Sequence, residues 1–85
     1  MKVRLTEAFA KDYRRLPAKI KDKADKQLRH LMENPKHPSL KIHRIEGTHG
    51  FWEFYLDRSY RCVYTQEGDT AVLRYIGPHD IIEKA

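Results

Sequence analysis

Cysteine, glycine and long apolar runs are all scarce in this sequence. Cys62 is the only cysteine among the 85 residues, which excludes an internal disulfide and predicts a reducing compartment. The four glycines do not form a glycine-rich loop of the kind that binds phosphate. No segment approaches the ~18 apolar residues of a membrane-spanning helix, and the N-terminus has no apolar signal-peptide region. We therefore expect a soluble, cytoplasmic protein without a membrane partner.

Metal-ligand spacing is also missing from the sequence. The five histidines include no close pair and Cys62 stands alone, so we expect neither a metal site nor another cofactor. What the sequence does contain is 40% hydrophobic and 34% charged residues, with nine aromatic side chains. This composition is typical of a globular chain, and a length of 85 residues predicts a single domain covering residues 1–85.

Acidic side chains are outnumbered, and the imbalance is uneven along the chain. The 17 Lys and Arg residues against 12 Asp and Glu residues give a formal net charge of +5. Residues 1–44 carry thirteen basic and five acidic residues, whereas residues 45–85 carry four and seven. The first part therefore has a net charge of +8 and the second of −3. This asymmetry predicts a polyanion-binding surface in one region and catalytic or partner contacts in another.

The first part of the chain has the pattern of one strand followed by two helices. Alternating polar and apolar residues over Met1–Leu5 predict a short strand, and Thr6 is a suitable N-cap for the helix that follows. Pro17 interrupts that helix and predicts a tight turn into a second one, which Pro35 terminates. The helical spacing is carried by the apolar residues Phe9, Tyr13, Leu16, Ile20, Ala24, Leu28, Leu31 and Met32.

The second part of the chain alternates with the period of two that is typical of strands. A strand beginning at Leu40 is expected to precede a glycine turn, and three further strands follow from Phe51 to Ile76. The segment from His79 to Ala85 is expected to form a short helix or a frayed tail. We predict an α+β fold of order β-α-α-β-β-β-β, with two antiparallel helices on one face of a curved, mainly antiparallel sheet.

Side chains suited to phosphodiester cleavage are predicted on the face of the sheet without helices. Strand parity puts Glu53 and Arg61 on one side together with the aromatic Tyr55, and His79 follows the last strand. Arg61 would bind the scissile phosphate, His79 would transfer a proton, and Glu53 would orient or complement it. RNA supplies its own nucleophile, the 2′-hydroxyl, so no metal is required. Tyr55 could stack on an unpaired base.

Simpler interpretations of the same residues stay open at this point. Glu53 and Arg61 could form a cross-strand ion pair with only a structural role, and His79 could simply cap a strand end. Basic residues on the second helix could form a solvated face or could follow RNA phosphates. The predicted RNA-binding residues are Lys19, Lys23, Lys26, Tyr55 and Arg58.

Several segments form a recognisable pattern when they are taken in order. They include Arg14-Arg15-Leu16-Pro17 between the helices and Leu40-Lys41-Ile42, which leads through a glycine turn to Phe51-Trp52-Glu53. They continue with Tyr60-Arg61-Cys62-Val63-Tyr64 and, after a hairpin, the strand end Gly77-Pro78-His79-Asp80. Together they cover essentially the whole chain, which resembles the RelE/ParE superfamily of toxins from bacterial and archaeal toxin–antitoxin systems.

The resemblance implies a function as well as a fold. It implies a ribosome-dependent mRNA endonuclease, or mRNA interferase, that works without a cofactor and is neutralised by an antitoxin, here expected to be acidic. It gives Arg61 the contact with the scissile phosphate and places His79 in the branch with a catalytic histidine. Glu53 departs from relatives that carry Lys or Arg near this position, and no tyrosine follows His79.

Other members of the superfamily imply other functions. One alternative is an inhibitor of DNA gyrase that acts by protein binding, as in the ParE-like branch, and another is an inactive domain that only binds its antitoxin. A complex of toxin and antitoxin that binds its own promoter DNA is a further expectation from the resemblance.

Overall fold

The helices and strands follow one another in the predicted order. In the computed structural model, which describes residues 1–84, the elements are β1 Lys2–Leu5, α1 Glu7–Arg14, α2 Ala18–Glu33, β2 His43–Arg44, β3 Phe51–Tyr55, β4 Tyr60–Glu67 and β5 Thr70–Pro78. Two 3₁₀ helices cover Pro38–Leu40 and His79–Lys84 within this described part of the chain. Ala85, the last residue of the predicted domain, lies outside the described residues.

Thr6 connects the first helix to the sheet. Its Oγ1 accepts a hydrogen bond from the Phe9 amide at 3.2 Å, which caps α1 as the sequence predicts. The same hydroxyl donates to the Leu73 carbonyl on β5 at 2.8 Å. Pro17 occupies the N-cap of α2, where its missing amide proton costs no helical hydrogen bond.

The five strands form one mixed sheet in the order β1-β5-β4-β3-β2. β1 pairs with β5 in parallel, and the remaining neighbours are antiparallel. The helical connection between β1 and β2 is what allows the first strand to lie beside the last one. The predicted α+β class, with both helices on one face of a mainly antiparallel sheet, is confirmed.

The main core lies between the helices and the sheet. Phe9 and Leu31 from the helices pack with Phe54, Cys62 and Leu73 from three of the strands. Cys62 is fully buried, and desolvation raises the pKa of its thiol well above the usual value. Cys62 is therefore a residue of the core.

The opposite face of the sheet is less open than predicted. Ile81 of the C-terminal 3₁₀ helix packs there against Val63 and Ile45, which forms a second, smaller apolar cluster. Gly77 permits this close approach, because a Cβ atom at that position would lie only 2.9 Å from the Ile81 side chain. The expectation that this face carries no helical segment is wrong at its C-terminal end.

The strand expected to begin at Leu40 is also shorter than predicted. Leu40 ends a 3₁₀ helix, and Lys41 then adopts the left-handed conformation with φ of 47°. That conformation is incompatible with a strand, so pairing starts only at His43.

Candidate functional site

Arg61 is the most constrained ionisable side chain on the sheet face opposite the helices. It lies on β4 directly opposite Tyr55 of β3, and its guanidinium carbon is 3.6 Å from the centre of the Tyr55 ring. Its Nη1 donates to three backbone carbonyls, those of Asp57 at 2.7 Å, Arg58 at 3.0 Å and Tyr60 at 3.1 Å. Stacking and the three carbonyls together hold the guanidinium in one orientation.

The positive charge of Arg61 is not balanced by a carboxylate of the described residues 1–84. The residue is only 5% exposed, its Nε has no hydrogen-bond partner, and no acidic side chain within residues 1–84 forms a salt bridge with it. Register explains why the alternative of a Glu53–Arg61 ion pair is wrong, since Glu53 lies opposite Val63. A buried cation held only by neutral oxygens favours the binding of an anion.

Glu53 instead contacts His43. The two residues face each other across β2 and β3, and the His43 Nε2 is within hydrogen-bonding distance of the Glu53 Oε1. His43 Nδ1 is 2.9 Å from the Lys41 carbonyl, which can only accept, so Nδ1 carries a proton. The contact between Nε2 and Oε1 then requires one further proton, held by either group. Glu53 Oε2 is buried and has no partner in the described chain.

His43 is the residue that the sequence reasoning missed. Glu53 was expected to orient His79, but the structure brings it to His43 instead. The sequence did contain a signal for this contact. A glycine turn at residues 47–50 between two strands predicts a hairpin, in which residues at equal distances from the turn lie opposite each other. With β2 and β3 in antiparallel register, His43 falls opposite Glu53.

Lys41 adds a second cation to the Tyr55 ring. Its Nζ lies 5.1 Å from the ring centre, and the His43 ring meets the Tyr55 edge with centroids 6.3 Å apart. Lys41 reaches this position from its left-handed backbone conformation, which is unfavourable for a residue other than glycine. Such strain is found preferentially at functional sites.

A groove of about 400 Å³ lies beside Lys41 and Tyr55, which form part of its lining. Four of the five predicted RNA-binding residues line it, whereas Lys19 is exposed in the first turn of α2 and is not part of the lining. The lining residues are Lys23, Lys26, Gln27, Ser39, Lys41, Tyr55, Leu56, Asp57 and Arg58. Lys23 is paired with Asp57 at 2.9 Å, so the unpaired basic side chains here are Lys26, Lys41 and Arg58 among the described residues.

His79 lies at the end of β5, close in register to Arg61. Gly77 is opposite Arg61 and Pro78 is opposite Tyr60, and the His79 amide donates to the Ser59 carbonyl at 2.8 Å. The residue is exposed, and no contact of its imidazole is found in the described part of the chain. The imidazole is therefore accessible to a ligand.

The described residues hold neither a cluster of metal ligands nor a membrane-spanning helix. Residues 1–84 contain no group of three or more His, Cys, Asp or Glu side chains placed to hold a metal ion. No helix in that range is long and apolar enough to cross a membrane.

Comparison with solved structures shows the same fold at low sequence identity. A RelB–RelE antitoxin–toxin complex from Methanococcus jannaschii matches with a TM-score of 0.76 and 20% identity, over 94% of both chains. The YoeB/ParE toxin from Agrobacterium tumefaciens matches with a TM-score of 0.74 and 22% identity, over 93% of this chain and 99% of the other. YafQ from Escherichia coli matches with a TM-score of 0.75 and 15% identity, over 95% and 96%.

Sequence comparison supplies the family. No curated protein matches the chain significantly. The family model described as the ParE toxin of the type II toxin–antitoxin system matches residues 3–82, nearly the whole length. The chain therefore belongs to the ParE toxin family of type II toxin–antitoxin systems, within the RelE/ParE superfamily.

Proposed function

We propose that this toxin is a ribosome-dependent mRNA endonuclease that works without a metal. The observation that carries the proposal is the Arg61 guanidinium, which is buried, fixed by stacking and carbonyls, and unpaired with any carboxylate of residues 1–84. It lies beside a groove with three further unpaired cations. A single-stranded RNA fits both features, since its phosphates can follow the cations of the groove and a bent or unstacked nucleotide can reach Arg61.

The proposed reaction uses the 2′-hydroxyl of the RNA as its nucleophile. The 2′-oxygen attacks phosphorus, the bond from phosphorus to the 5′-oxygen breaks, and the products carry a 2′,3′-cyclic phosphate and a 5′-hydroxyl. One protein group takes the proton of the 2′-hydroxyl and another gives a proton to the 5′-oxygen, so the number of protons is unchanged. Arg61 offsets the charge that develops on the phosphate oxygens.

Two sites in the chain can carry those protons. His79 follows the strand whose Gly77 lies opposite Arg61, and its imidazole is exposed and without a contact among residues 1–84, which suits a group that meets the substrate directly. The His43–Glu53 pair holds one exchangeable proton at the other side of Tyr55. We propose that His79 transfers one proton and the His43–Glu53 pair the other.

We propose that the groove lined by Lys26, Lys41 and Arg58 guides the RNA strand toward Arg61. The positive charges neutralise phosphates, and the ribosome supplies further RNA backbone to the remaining basic face of α2. Lys19 and Lys23 belong to that face, although Lys23 already has Asp57 as its partner.

We further propose an acidic antitoxin as the protein partner. A groove of about 260 Å³ with an apolar lining lies between β1, α1 and α2, and includes Leu5, Phe9, Tyr13 and Leu28. Leu5 is 56% exposed, which is high for a large apolar side chain. The groove lining also includes Arg14 and Asp25, and residues 1–44, which supply all of the lining, have a net charge of +8. A partner segment with apolar and acidic side chains is therefore complementary. Structural neighbours include RelB–RelE and DinJ–YafQ complexes.

Inhibition of DNA gyrase is the second candidate function. The matching family model is that of the ParE toxin, and this is the observation that favours it. A gyrase inhibitor that acts by protein binding needs neither a buried arginine without a carboxylate partner nor a proton-carrying pair such as His43 and Glu53. For this reason we rank it second. An antitoxin complex that binds promoter DNA is compatible with either candidate.

The substitution Arg61→Lys tests the leading proposal. Lysine keeps the charge but loses the planar fork, so we expect cleavage to fall by ~10²-fold and growth arrest to be relieved. Arg74→Lys is the matched control, because Arg74 lies on the neighbouring strand but is paired with Glu67 and Thr65. The measurements are growth after induction, mapping of mRNA 5′ ends, and thermal unfolding. A folded Arg61→Lys variant that cleaves and arrests growth like the wild type would contradict the proposal.

A further inference from the structure

The loop between β3 and β4 is organised around the Asp57 carboxylate. Oδ1 accepts hydrogen bonds from the Ser59 amide at 2.8 Å and the Tyr60 amide at 2.9 Å. Oδ2 accepts from the Lys23 Nζ at 2.9 Å, which joins the loop to α2. One carboxylate therefore fixes both the turn of the loop and its distance from the helix.

That same loop supplies the carbonyls that hold Arg61. Asp57 and Arg58 present theirs to Nη1 at 2.7 and 3.0 Å, and Tyr60, the residue after the loop, presents a third at 3.1 Å. Three carbonyls of one four-residue segment converge on one nitrogen only if the backbone is turned sharply, and the hydrogen bonds from the Ser59 and Tyr60 amides to Oδ1 impose that turn. The loop also reaches the end of β5, because the Ser59 carbonyl accepts from the His79 amide at 2.8 Å.

The charge state of Asp57 fits this arrangement. Burial by itself raises the pKa of its carboxyl, but the Lys23 ammonium and the Ser59 and Tyr60 amides outweigh it and hold the pKa below its usual value. The carboxylate is therefore ionised at neutral pH and keeps its three hydrogen bonds.

We infer that Asp57 is a positioning residue, which orients Arg61 and the His79 backbone for the reaction without touching the substrate itself. This inference rests on the proposed function. A misplacement of about 1 Å in a reacting group can cost ~10²-fold in rate, so the effect is expected in kcat and not in KM.

Three substitutions separate the parts of this role. Asp57→Ala removes all three hydrogen bonds of the carboxylate. Asp57→Asn keeps an oxygen for the Ser59 and Tyr60 amides but loses the charge that attracts Lys23. Asp69→Ala is the matched control, since Asp69 lies in the β4–β5 hairpin, is 74% exposed, and pairs only loosely with Lys2 at 3.9 Å.

The first measurement is the NMR spectrum of the Arg61 guanidinium, which does not depend on activity. In the wild type the three carbonyls are expected to slow guanidinium rotation and give resolved Nη signals. We expect these signals to be lost in Asp57→Ala and retained in Asp57→Asn and Asp69→Ala. Unchanged Arg61 signals in a folded Asp57→Ala variant would overturn the inference.

The second measurement is cleavage of mRNA bound to the ribosome. We expect Asp57→Ala to lower kcat by ~10–10²-fold with KM within about twofold of the wild type, and Asp57→Asn to restore most of kcat. A wild-type kcat in Asp57→Ala would overturn the inference. Absence of cleavage by the wild type would instead overturn the proposed function, and the NMR result would still decide whether Asp57 positions Arg61.

Discussion

Glu53 and Arg61 are both buried ionisable residues, yet their surroundings differ in kind. Glu53 has a histidine beside it that can share a proton, so its charge can be balanced within the site. Arg61 cannot lose its proton, and its partners are neutral carbonyls and a tyrosine ring. A charge that cannot be neutralised from within is the stronger indication of an anionic ligand.

At the scale of single residues, Glu53→Gln tests the proton-carrying role of the pair with His43. An amide cannot hold the proton that the carboxylate shares with the Nε2, so we expect cleavage to fall by at least ~10²-fold, with ribosome binding retained. Glu67→Gln is the control, since Glu67 also forms ion pairs but is 58% exposed. If both variants cleave at the wild-type rate, the pair has no part in proton transfer.

At the scale of elements, the sequence predicted regular structure better than pairing. The Thr6 cap, the proline between the helices and the two-residue periodicity located the helices and four of the five strands in the described residues. The β2 strand was misplaced because a left-handed Lys41 is not encoded by any residue pattern. Register across a turn depends on the turn geometry, so the contact of Glu53 with His43 was not predicted.

The C-terminal segment shows a second limit of sequence reasoning. This segment has too few apolar residues to show the periodicity of a helix or strand. The burial of Ile81 depends on Gly77, whose lack of a side chain leaves room for it. Arg61 and Glu53 lie on the predicted face, but that face is not open at their positions, since the two residues are 5% and 3% exposed.

The end of α2 predicts a pH dependence of stability. His30 stacks on His37 with centroids 3.8 Å apart, and desolvation and the charge of His37 lower the pKa of His30. The unfolded chain then binds a proton at a higher pH than the folded one, so stability falls as pH drops from the unfolded pKa to the folded pKa. We expect His30→Gln to flatten the dependence of the unfolding free energy on pH over this interval, as measured by urea titrations over a pH series. Equal slopes for the two proteins would contradict it.

The groove beside α2 predicts a salt dependence of ribosome binding. Each cation that neutralises a phosphate of single-stranded RNA contributes about 0.7 to the slope of log affinity against log salt. We expect Lys26→Gln to reduce that slope by one such contribution, because Lys26 is an unpaired residue of the groove lining.

Lys21→Gln is the matched control on the same helix, since Lys21 lies over the Tyr13 ring and outside the groove lining. The measurement is co-sedimentation with ribosomes across a salt series. An unchanged slope for Lys26→Gln would mean that the groove does not carry the RNA.

At the scale of the whole molecule, α2 separates two grooves of different character. Lys23 and Lys26 line the groove of about 400 Å³, the basic groove, on one side of the helix. Asp25 and Leu28 line the groove of about 260 Å³, the apolar groove, on the other side. Substrate binding and antitoxin binding are therefore expected to respond to different substitutions.

Leu5→Asp tests that separation. A charge on this exposed apolar side chain should weaken antitoxin binding by ~10-fold or more, because burial of a leucine contributes about 1.5–3 kcal/mol. Cleavage by the free toxin should be unchanged, since Leu5 lies outside the basic groove. Titration calorimetry with the antitoxin and a cleavage assay provide the two measurements. Loss of cleavage with unchanged antitoxin affinity would refute the assignment of the grooves.

The most direct test of the central claim is single-turnover cleavage of an mRNA held in the ribosomal A site, with a gyrase supercoiling assay in parallel. We predict cleavage by the wild type, a product with a 2′,3′-cyclic phosphate, and no effect on supercoiling. His79→Ala should slow cleavage by ~10²–10⁴-fold without loss of fold. Inhibition of gyrase by a wild-type protein that leaves the mRNA intact would contradict the account.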